Sequence, residues 1–176
     1  MPADLDATRL DAILQSVVDR LPGDWLLIGG ALVALWVDAR RVTEDVDLVG
    51  IAGTGADRRS LLGLADDLGL PVEALNSAAD YFVERIPGWR EHIEPFRTGK
   101  SGRVFRPSPT LFLVLKARRL SSRDLDDCLG LLQLCSRDHL PMDATRVLSE
   151  IAALAPTDDE AQRVRRQRLI AALSSR

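Results

Sequence analysis

Lysine is almost missing from this chain. Of its 23 basic residues, only Lys100 and Lys116 are lysines, and all the others are arginines. Together with abundant alanine, leucine and aspartate, this bias is typical of a protein encoded by a GC-rich genome. Composition therefore accounts for most of the arginines, whereas it makes each of the two lysines worth examining.

Cysteine is equally scarce. The chain has two, Cys128 and Cys135, seven positions apart in an apolar helical pattern. No Cys-x-x-Cys pair and no histidine-rich cluster accompanies them, so the sequence does not support a zinc site. We expect two buried, reduced thiols that act as small apolar side chains.

Long apolar runs and a strong excess of one charge are also lacking. The longest nearly unbroken apolar run, residues 25–37, is shorter than the ~20 residues that a membrane helix needs, and Gly29-Gly30 interrupts it. The first residues lack the basic segment followed by an apolar segment that marks a signal peptide. A net charge of −3 gives no overall attraction to nucleic acid or to anionic membranes. We expect a cytoplasmic protein with no membrane contact and no DNA partner.

The hydrophobic periodicity divides the chain into a mixed half and a helical half. We expect an α/β (α+β) core over residues 1–107, with a small mixed sheet, and a helical extension over 108–176 packed on it as one compact unit. The predicted strands are 25–28, 46–51, 71–75, and one or two near 89–96 and 103–106. The predicted helices are 5–20, 31–37, 57–68, 110–120, 122–136, 143–154 and 157–173.

Chemistry is concentrated between residues 25 and 49. A predicted strand ends in Gly29-Gly30, a helix follows at once, and the next strand presents Asp45 and Asp47. Glycines at such a turn allow close approach of a ligand, and a helix start offers unpaired N–H groups to phosphate. Residues i and i+2 of a strand share a face, so the two carboxylates can hold one Mg²⁺ ion.

Each feature alone has an ordinary structural explanation. A Gly-Gly pair is usually just a turn, and an Asp-x-Asp at a strand edge is usually just solvated. Their occurrence in this order, with a helix between them, favours a site for a metal-bound nucleotide.

The segment GGALVALWVDARRVTEDVDLV, residues 29–49, resembles the first motif of the polymerase-β-type nucleotidyltransferase superfamily. In that motif a Gly-Gly or Gly-Ser pair precedes a helix and an Asp-x-Asp follows. The string Arg41-x-Thr43-x-Asp45-x-Asp47 is similar to bacterial AbiEii and MenT toxins and to MNT proteins of toxin–antitoxin loci. The resemblance implies catalytic and metal roles for Asp45 and Asp47. It implies nucleotide binding by Gly29, Gly30, Arg41 and Thr43.

A second segment is also similar to AbiEii-like enzymes. Lys116 is followed by Arg123-Asp124-Leu125-Asp126-Asp127, which resembles their lysine motif and the helix after it. The resemblance implies that Lys116 contacts the nucleotide phosphates and that Asp124 completes the active site, with support from Asp127. The superfamily often has a further carboxylate on a later strand, for which Glu91 and Glu94 are the candidates. Without the resemblance, Lys116 is a surface lysine and Asp124 a helix N-cap or first-turn acid.

The resemblance implies an enzyme that uses Mg²⁺ or Mn²⁺ to transfer NMP from an NTP to a hydroxyl of tRNA or of a protein. Its setting would be a toxin–antitoxin or phage-defence system, with a cognate toxin or antitoxin as partner. The alternatives are a catalytically weak antitoxin or nucleotide-binding partner protein of the same fold, and an unrelated α/β domain with a chance motif. Arginines and aromatic residues are interleaved over residues 85–106. This pattern suits either phosphate binding or a solvated hairpin whose aromatic side chains lie in the core.

Overall fold

The computed structural model describes residues 4–51, 56–77 and 80–175. The chain divides into two units, Met1–Pro107 and Ser108–Arg176. A mixed sheet with helices makes up the first unit, and the described residues of the second form helices with short connections. The predicted α/β class with a small mixed sheet is confirmed.

Helices and strands alternate through the first unit. They are α1 (Ala7–Arg20), β1 (Gly23–Ile28), α2 (Gly29–Leu32), a π-helix (Val33–Val37), β2 (Val46–Gly50), α3 (Ala56–Asp67), β3 (Leu75–Asn76), α4 (Asp80–Val83), β4 (Ile93–Thr98) and β5 (Gly102–Pro107). Short 3₁₀ turns, Val72–Ala74 and Trp89–His92, precede β3 and β4.

The sheet places β1 at its centre. The strand order is β3-β2-β1-β5-β4, with β1 antiparallel to β2 and parallel to β5. Strand β3 is parallel to β2, and β4 is antiparallel to β5. The predicted neighbours 25–28 and 46–51 are therefore adjacent. Because a central strand is covered on both faces, Trp25, Leu26 and Leu27 are all buried.

Helix α1 forms where its apolar spacing predicts it. Asp6 caps its start by accepting a hydrogen bond from the Arg9 backbone N–H at 2.8 Å, which satisfies one of the free donors of the first turn. Its large apolar side chains are all buried and face the core of the unit: Leu10, Ile13, Leu14, Val17 and Val18.

Two predictions for the first unit are wrong in detail. Residues 71–75 form a 3₁₀ turn and only the first residue of a strand, because the Ala74 N–H donates to the Pro71 carbonyl at 2.9 Å and closes a tight turn. The helix predicted from Ala31 starts at Gly29, and its second half is a π-helix. The Asp38 N–H ends it by donating to the Val33 carbonyl at 2.9 Å.

The second unit contains four helices among its described residues. They are α5 (Pro109–Arg119), α6 (Ser122–Asp138), α7 (Ala144–Ala152) and α8 (Glu160–Ser174). Each begins after a serine or aspartate whose side chain accepts a backbone N–H: Ser108, Ser121, Asp143 and Asp159. These caps explain why the four predicted helices are confirmed with small shifts at their ends.

The two cysteines lie on the buried face of α6. Cys128 and Cys135 are both free thiols and both buried, as predicted. Burial raises the pKa of Cys128 to about 12, so this thiol stays protonated at neutral pH and packs as an apolar group.

Over the part of the chain that the structure describes, each helix is too short or too polar to cross a bilayer.

Candidate functional site

Strand β1 turns directly into helix α2 at Gly29. Ile28 is extended, with φ −137° and ψ −168°, and Gly29 then has a φ of +74°. This left-handed region is costly for residues with a Cβ atom but not for glycine. The backbone at the first position of the predicted Gly-Gly turn therefore requires glycine. The helix that follows runs without a break from Gly29 to Val37.

The carboxylate of Asp47 fills the space where a side chain at Gly29 would stand. Asp47 lies opposite Ile28 in the antiparallel pairing of β1 and β2. A Cβ atom on Gly29 would overlap Oδ2 of Asp47 and lie 3.1 Å from its Cγ. The close approach that glycine allows here is therefore made by an acidic side chain of the same unit.

Thr43 occupies the equivalent place at Gly30. A Cβ atom on Gly30 would lie 2.7 Å from Oγ1 of Thr43. The same hydroxyl donates a hydrogen bond to Oδ1 of Asp45 at 3.1 Å. The structure thus brings together five of the residues singled out in the sequence: Gly29, Gly30, Thr43, Asp45 and Asp47.

Asp45 and Asp47 flank a buried residue of β2. Val46 between them is fully buried, whereas both aspartates are half-buried. Asp45 directly precedes the first residue of the strand, so the pair stands at the strand's beginning, beside the end of β1. Arg41 belongs to the loop before it, where its N–H closes a turn on the Asp38 carbonyl at 2.9 Å.

Asn76 is a neighbour of this group that the sequence did not indicate. It pairs with Asp47 in the parallel register of β3 and β2, so their side chains share a face across one strand spacing of ~4.8 Å. No motif marks Asn76, and the predicted third strand stopped one residue short of it. Only the strand order places it beside the two carboxylates.

The candidates for a further carboxylate lie elsewhere in the unit. Glu94 is on β4, which β1 and β5 separate from β2, a distance of ~14 Å at the usual strand spacing. Its carboxylate pairs with Arg106 at 2.6 Å. Glu91 is an exposed residue of the turn before β4. Within the described ranges, three or more His, Cys, Asp or Glu side chains nowhere form a metal-binding group.

Most of the arginines between residues 85 and 106 make contacts within their own unit. Arg103 forms a two-pronged ion pair with Asp24, at 2.8 and 2.6 Å. Arg97 pairs with Asp11, and the Arg90 guanidinium lies over the buried Trp89 ring. These contacts favour the hairpin interpretation over phosphate-backbone binding.

The second predicted segment forms an ion cluster inside the second unit. The Lys116 ammonium donates to Oδ1 of Asp124 and to Oδ2 of Asp127, both at 2.9 Å. The lysine side chain is 13% exposed, and those of Asp124 and Asp127 are 1% and 5% exposed. Lys116 is therefore a partly buried partner of two buried acids, and not the surface lysine of the simplest sequence interpretation.

Asp124 is bonded on both of its oxygens. Oδ1 accepts from Lys116 and Arg119, and Oδ2 accepts from Arg119 and from the N–H and hydroxyl of Ser121. Ser121 and Asp124 form the capping box of α6. Burial alone would raise the pKa of Asp124, but the hydrogen bonds and charges of Arg119, Lys116 and Ser121 outweigh it and hold the pKa far below its ordinary value. A carboxylate so engaged is a poor proton acceptor.

We expect Gly29→Ala to destabilise the chain more than Gly23→Ala. Both glycines have a positive φ, but a Cβ atom at Gly23 would have no atom within 4 Å. The shared left-handed strain costs ~1–2 kcal/mol, and overlap with Asp47 adds ~1–3 kcal/mol for Gly29→Ala. Urea denaturation measures the free energy of unfolding of each variant against the wild type. In an Asp47→Ala background the two costs should become equal. If the excess for Gly29→Ala persists there, Asp47 is not what fills the space.

Asp124→Asn should cost ~3–5 kcal/mol at pH 7, because it removes the buried carboxylate of an ion pair and leaves the partly buried Lys116 without its full partner. The pKa of Asp124 is lowered in the folded state, so its stabilisation is complete above the unfolded value near 3.8 and is lost as the pH falls through the folded value. The difference in the free energy of unfolding between wild type and variant should therefore begin to shrink below about pH 4 and keep shrinking as the pH falls toward the much lower folded pKa. Asp67→Asn, which removes an exposed pair with Arg20, should cost under about 1 kcal/mol. A difference for Asp124→Asn that does not change between pH 7 and pH 3 would contradict this account.

Comparison with known proteins finds no relative of this chain. No protein-family model, no curated protein and no solved structure matches the chain. The nucleotidyltransferase activity that the resemblance of residues 29–49 implies therefore stays a prediction.

Proposed function

We propose that this chain is a cytoplasmic, Mg²⁺-dependent nucleotidyltransferase that transfers NMP from an NTP to a hydroxyl of an RNA such as tRNA, or of a protein. Its proposed setting is a toxin–antitoxin or phage-defence system. One observation carries the proposal: the glycine turn at the end of β1 touches the Asp-x-Asp strand, with Asp47 against Gly29 and Thr43 against Gly30. A phosphate-binding turn and a pair of acidic metal ligands then belong to one site.

The donor set suits Mg²⁺ or Mn²⁺. Asp45 and Asp47 supply hard carboxylate oxygens at one strand end, and Mg²⁺ usually binds through one or two carboxylates together with substrate phosphates and water. Asn76, in register with Asp47, adds an amide oxygen on the same face. When bound, the ion would neutralise phosphate charge and orient the triphosphate.

The remaining residues of the first unit would bind the nucleotide. The backbone N–H groups at the start of the Gly29–Val37 helix suit phosphate oxygens, because the first turn of a helix lacks internal acceptors for them. The Arg41 guanidinium would be a further donor. Thr43, whose hydroxyl lies in the space beside Gly30 and donates to Asp45, would hold that carboxylate next to the bound phosphates. These roles follow the resemblance and agree with the positions of Gly30 and Thr43 in one contact group.

The transfer needs a group that accepts a proton. The acceptor hydroxyl oxygen would bond to the α-phosphorus, the bond from that phosphorus to the bridging oxygen would break, and pyrophosphate would leave. Asp45 or Asp47 would orient the hydroxyl and take its proton. Roles for Lys116 and Asp124 in this step stay predictions, and their mutual ion pair favours a structural role for Asp124.

A second candidate is a nucleotide-binding protein with little or no turnover, such as an antitoxin or partner protein. The observation that favours it is the residue beside Asp47, which is the amide Asn76 and not a carboxylate. Binding would survive in such a protein, because Asp45, Asp47 and the glycine turn remain. Catalysis would be weak, because transfer depends on the acidic groups around the metal.

Asp47→Asn should abolish the dependence of NTP binding on Mg²⁺ while the fold is kept. The amide has the same shape but no charge for the cation, so we expect affinity to fall at least about tenfold, which is ~1.4 kcal/mol. Calorimetry with each of the four NTPs, with and without Mg²⁺, measures this. Asp38→Asn is the matched control, because Asp38 is a loop acid paired with Arg40. Equal Mg²⁺-dependent affinities for the wild type and Asp47→Asn would show that the carboxylate is structural.

Asn76→Asp should make the stability of the chain more responsive to Mg²⁺. Two carboxylates on neighbouring strands repel each other, and a cation between them removes the repulsion. The rise in melting temperature on adding Mg²⁺ should be largest in Asn76→Asp, smaller in the wild type and smallest in Asn76→Ala. If all three respond alike, Asn76 does not line the site. A gain of turnover in Asn76→Asp, with none in the wild type, would support the second candidate function.

A further inference from the structure

The segment before α1 is bonded to the loop that leads into β2. The Leu5 N–H donates to the Thr43 carbonyl at 2.8 Å, and the Thr43 N–H donates to the Leu5 carbonyl at 3.2 Å. This exchange of both bonds is the closed pair of an antiparallel ladder, formed here by one residue on each side. Thr43 is thus held by residues almost forty positions earlier in the chain.

The bridging residue is itself anchored. The Leu5 side chain is 1% exposed, so the segment is fixed in the apolar core of the first unit. The next residue, Asp6, caps α1 through both its side chain and its carbonyl, which accept from Arg9 and Leu10. The position of Leu5 therefore follows from the core and from the start of a fourteen-residue helix.

Thr43 passes this constraint on to the candidate site. Its Oγ1 donates to Asp45 and lies where a Cβ atom of Gly30 would stand. Two residues earlier, Arg41 is in the turn that Asp38 closes. The loop between the π-helix and β2 carries three of the predicted site residues, and the bridge to Leu5 lies among them.

We propose that Leu5 is a positioning residue of the candidate site, whose backbone fixes Thr43 and, through Thr43, the carboxylate of Asp45. The effect on the loop follows from the bridge alone. The effect on nucleotide affinity rests on the proposed function. A loosened bridge would let the Thr43 hydroxyl leave both Asp45 and Gly30, so that the oxygens of the site are no longer arranged before the ligand binds.

The test compares two changes at Leu5 with a matched change in the core. Leu5→Pro removes the N–H that donates to Thr43, and Leu5→Ala keeps that N–H but removes most of the anchor. Leu10→Ala is the control, because Leu10 is equally buried but lies on α1, outside the bridge. Hydrogen exchange followed by mass spectrometry reports on residues 38–45, with residues 25–28 of β1 as the reference for global opening. Calorimetry reports Mg²⁺-dependent binding of ATP and, separately, of the other three NTPs.

We expect hydrogen exchange in residues 38–45 to become about tenfold faster in Leu5→Pro and to rise by a smaller factor in Leu5→Ala. In Leu10→Ala, exchange in residues 38–45 should rise no more than exchange in β1. Affinity for the NTP that the wild type binds should fall about tenfold in Leu5→Pro and stay unchanged in Leu10→Ala. If Leu5→Pro does not fold, Leu5→Ala against Leu10→Ala decides.

Two results would overturn the proposal. The first is that exchange in residues 38–45 stays unchanged in the Leu5 variants. The second is that it rises as much in Leu10→Ala as in the Leu5 variants. A third result separates the two proposals. If exchange in residues 38–45 becomes faster only in the Leu5 variants, and the wild type binds no NTP, then Leu5 does hold the loop but the proposed function is wrong.

Discussion

The close approach of the Asp47 carboxylate to Gly29 constrains the turn on which the candidate site is built. The register of β1 and β2 sets Ile28 opposite Asp47, so the residue after Ile28 emerges directly beside the acid. That residue must turn the chain from a strand into a helix, which it does at a φ of +74°. A side chain there would meet both the backbone strain and the carboxylate. Glycine satisfies the two demands at once, and the helix start is held against the acidic strand as a result.

The two groups of acids in this protein differ in how their charge is balanced. In the second unit, Asp124 and Asp127 are buried and bonded to Lys116, and Arg119 adds a further pair to Asp124. Charges compensated in this way need no ligand. In the first unit, Asp45 is half-buried and accepts its hydrogen bond from the neutral hydroxyl of Thr43. A cation would therefore bind more favourably beside Asp45 than beside Asp124. For this reason the proposed metal site is assigned to the first unit alone.

The sequence predicted those features that local chemistry determines. Apolar periodicity placed α1 and the four helices of the second unit, whose starts are then fixed by side-chain caps. The alternation around Val46 placed β2. Features that depend on partners distant in the chain were missed. Asn76 enters the site only because β3 pairs with β2, and Glu94 lies outside it because two strands intervene. The bridge from Leu5 to Thr43 joins two residues that have no shared pattern in the sequence.

The geometry of the second unit explains why a lysine stands at position 116 in a chain that otherwise uses arginine. The Lys116 ammonium bonds two carboxylates from successive turns of α6, each at 2.9 Å, with little exposure to solvent. An ammonium is a compact point charge whose three donors can be shared between acids that are not coplanar, whereas a guanidinium is a larger planar fork suited to one carboxylate. Arg119 fills that second role, since its Nε and Nη2 reach both oxygens of Asp124 from the exposed side. The cluster therefore needs one cation of each kind, and the presence of lysine at position 116 has a structural cause that is independent of any phosphate.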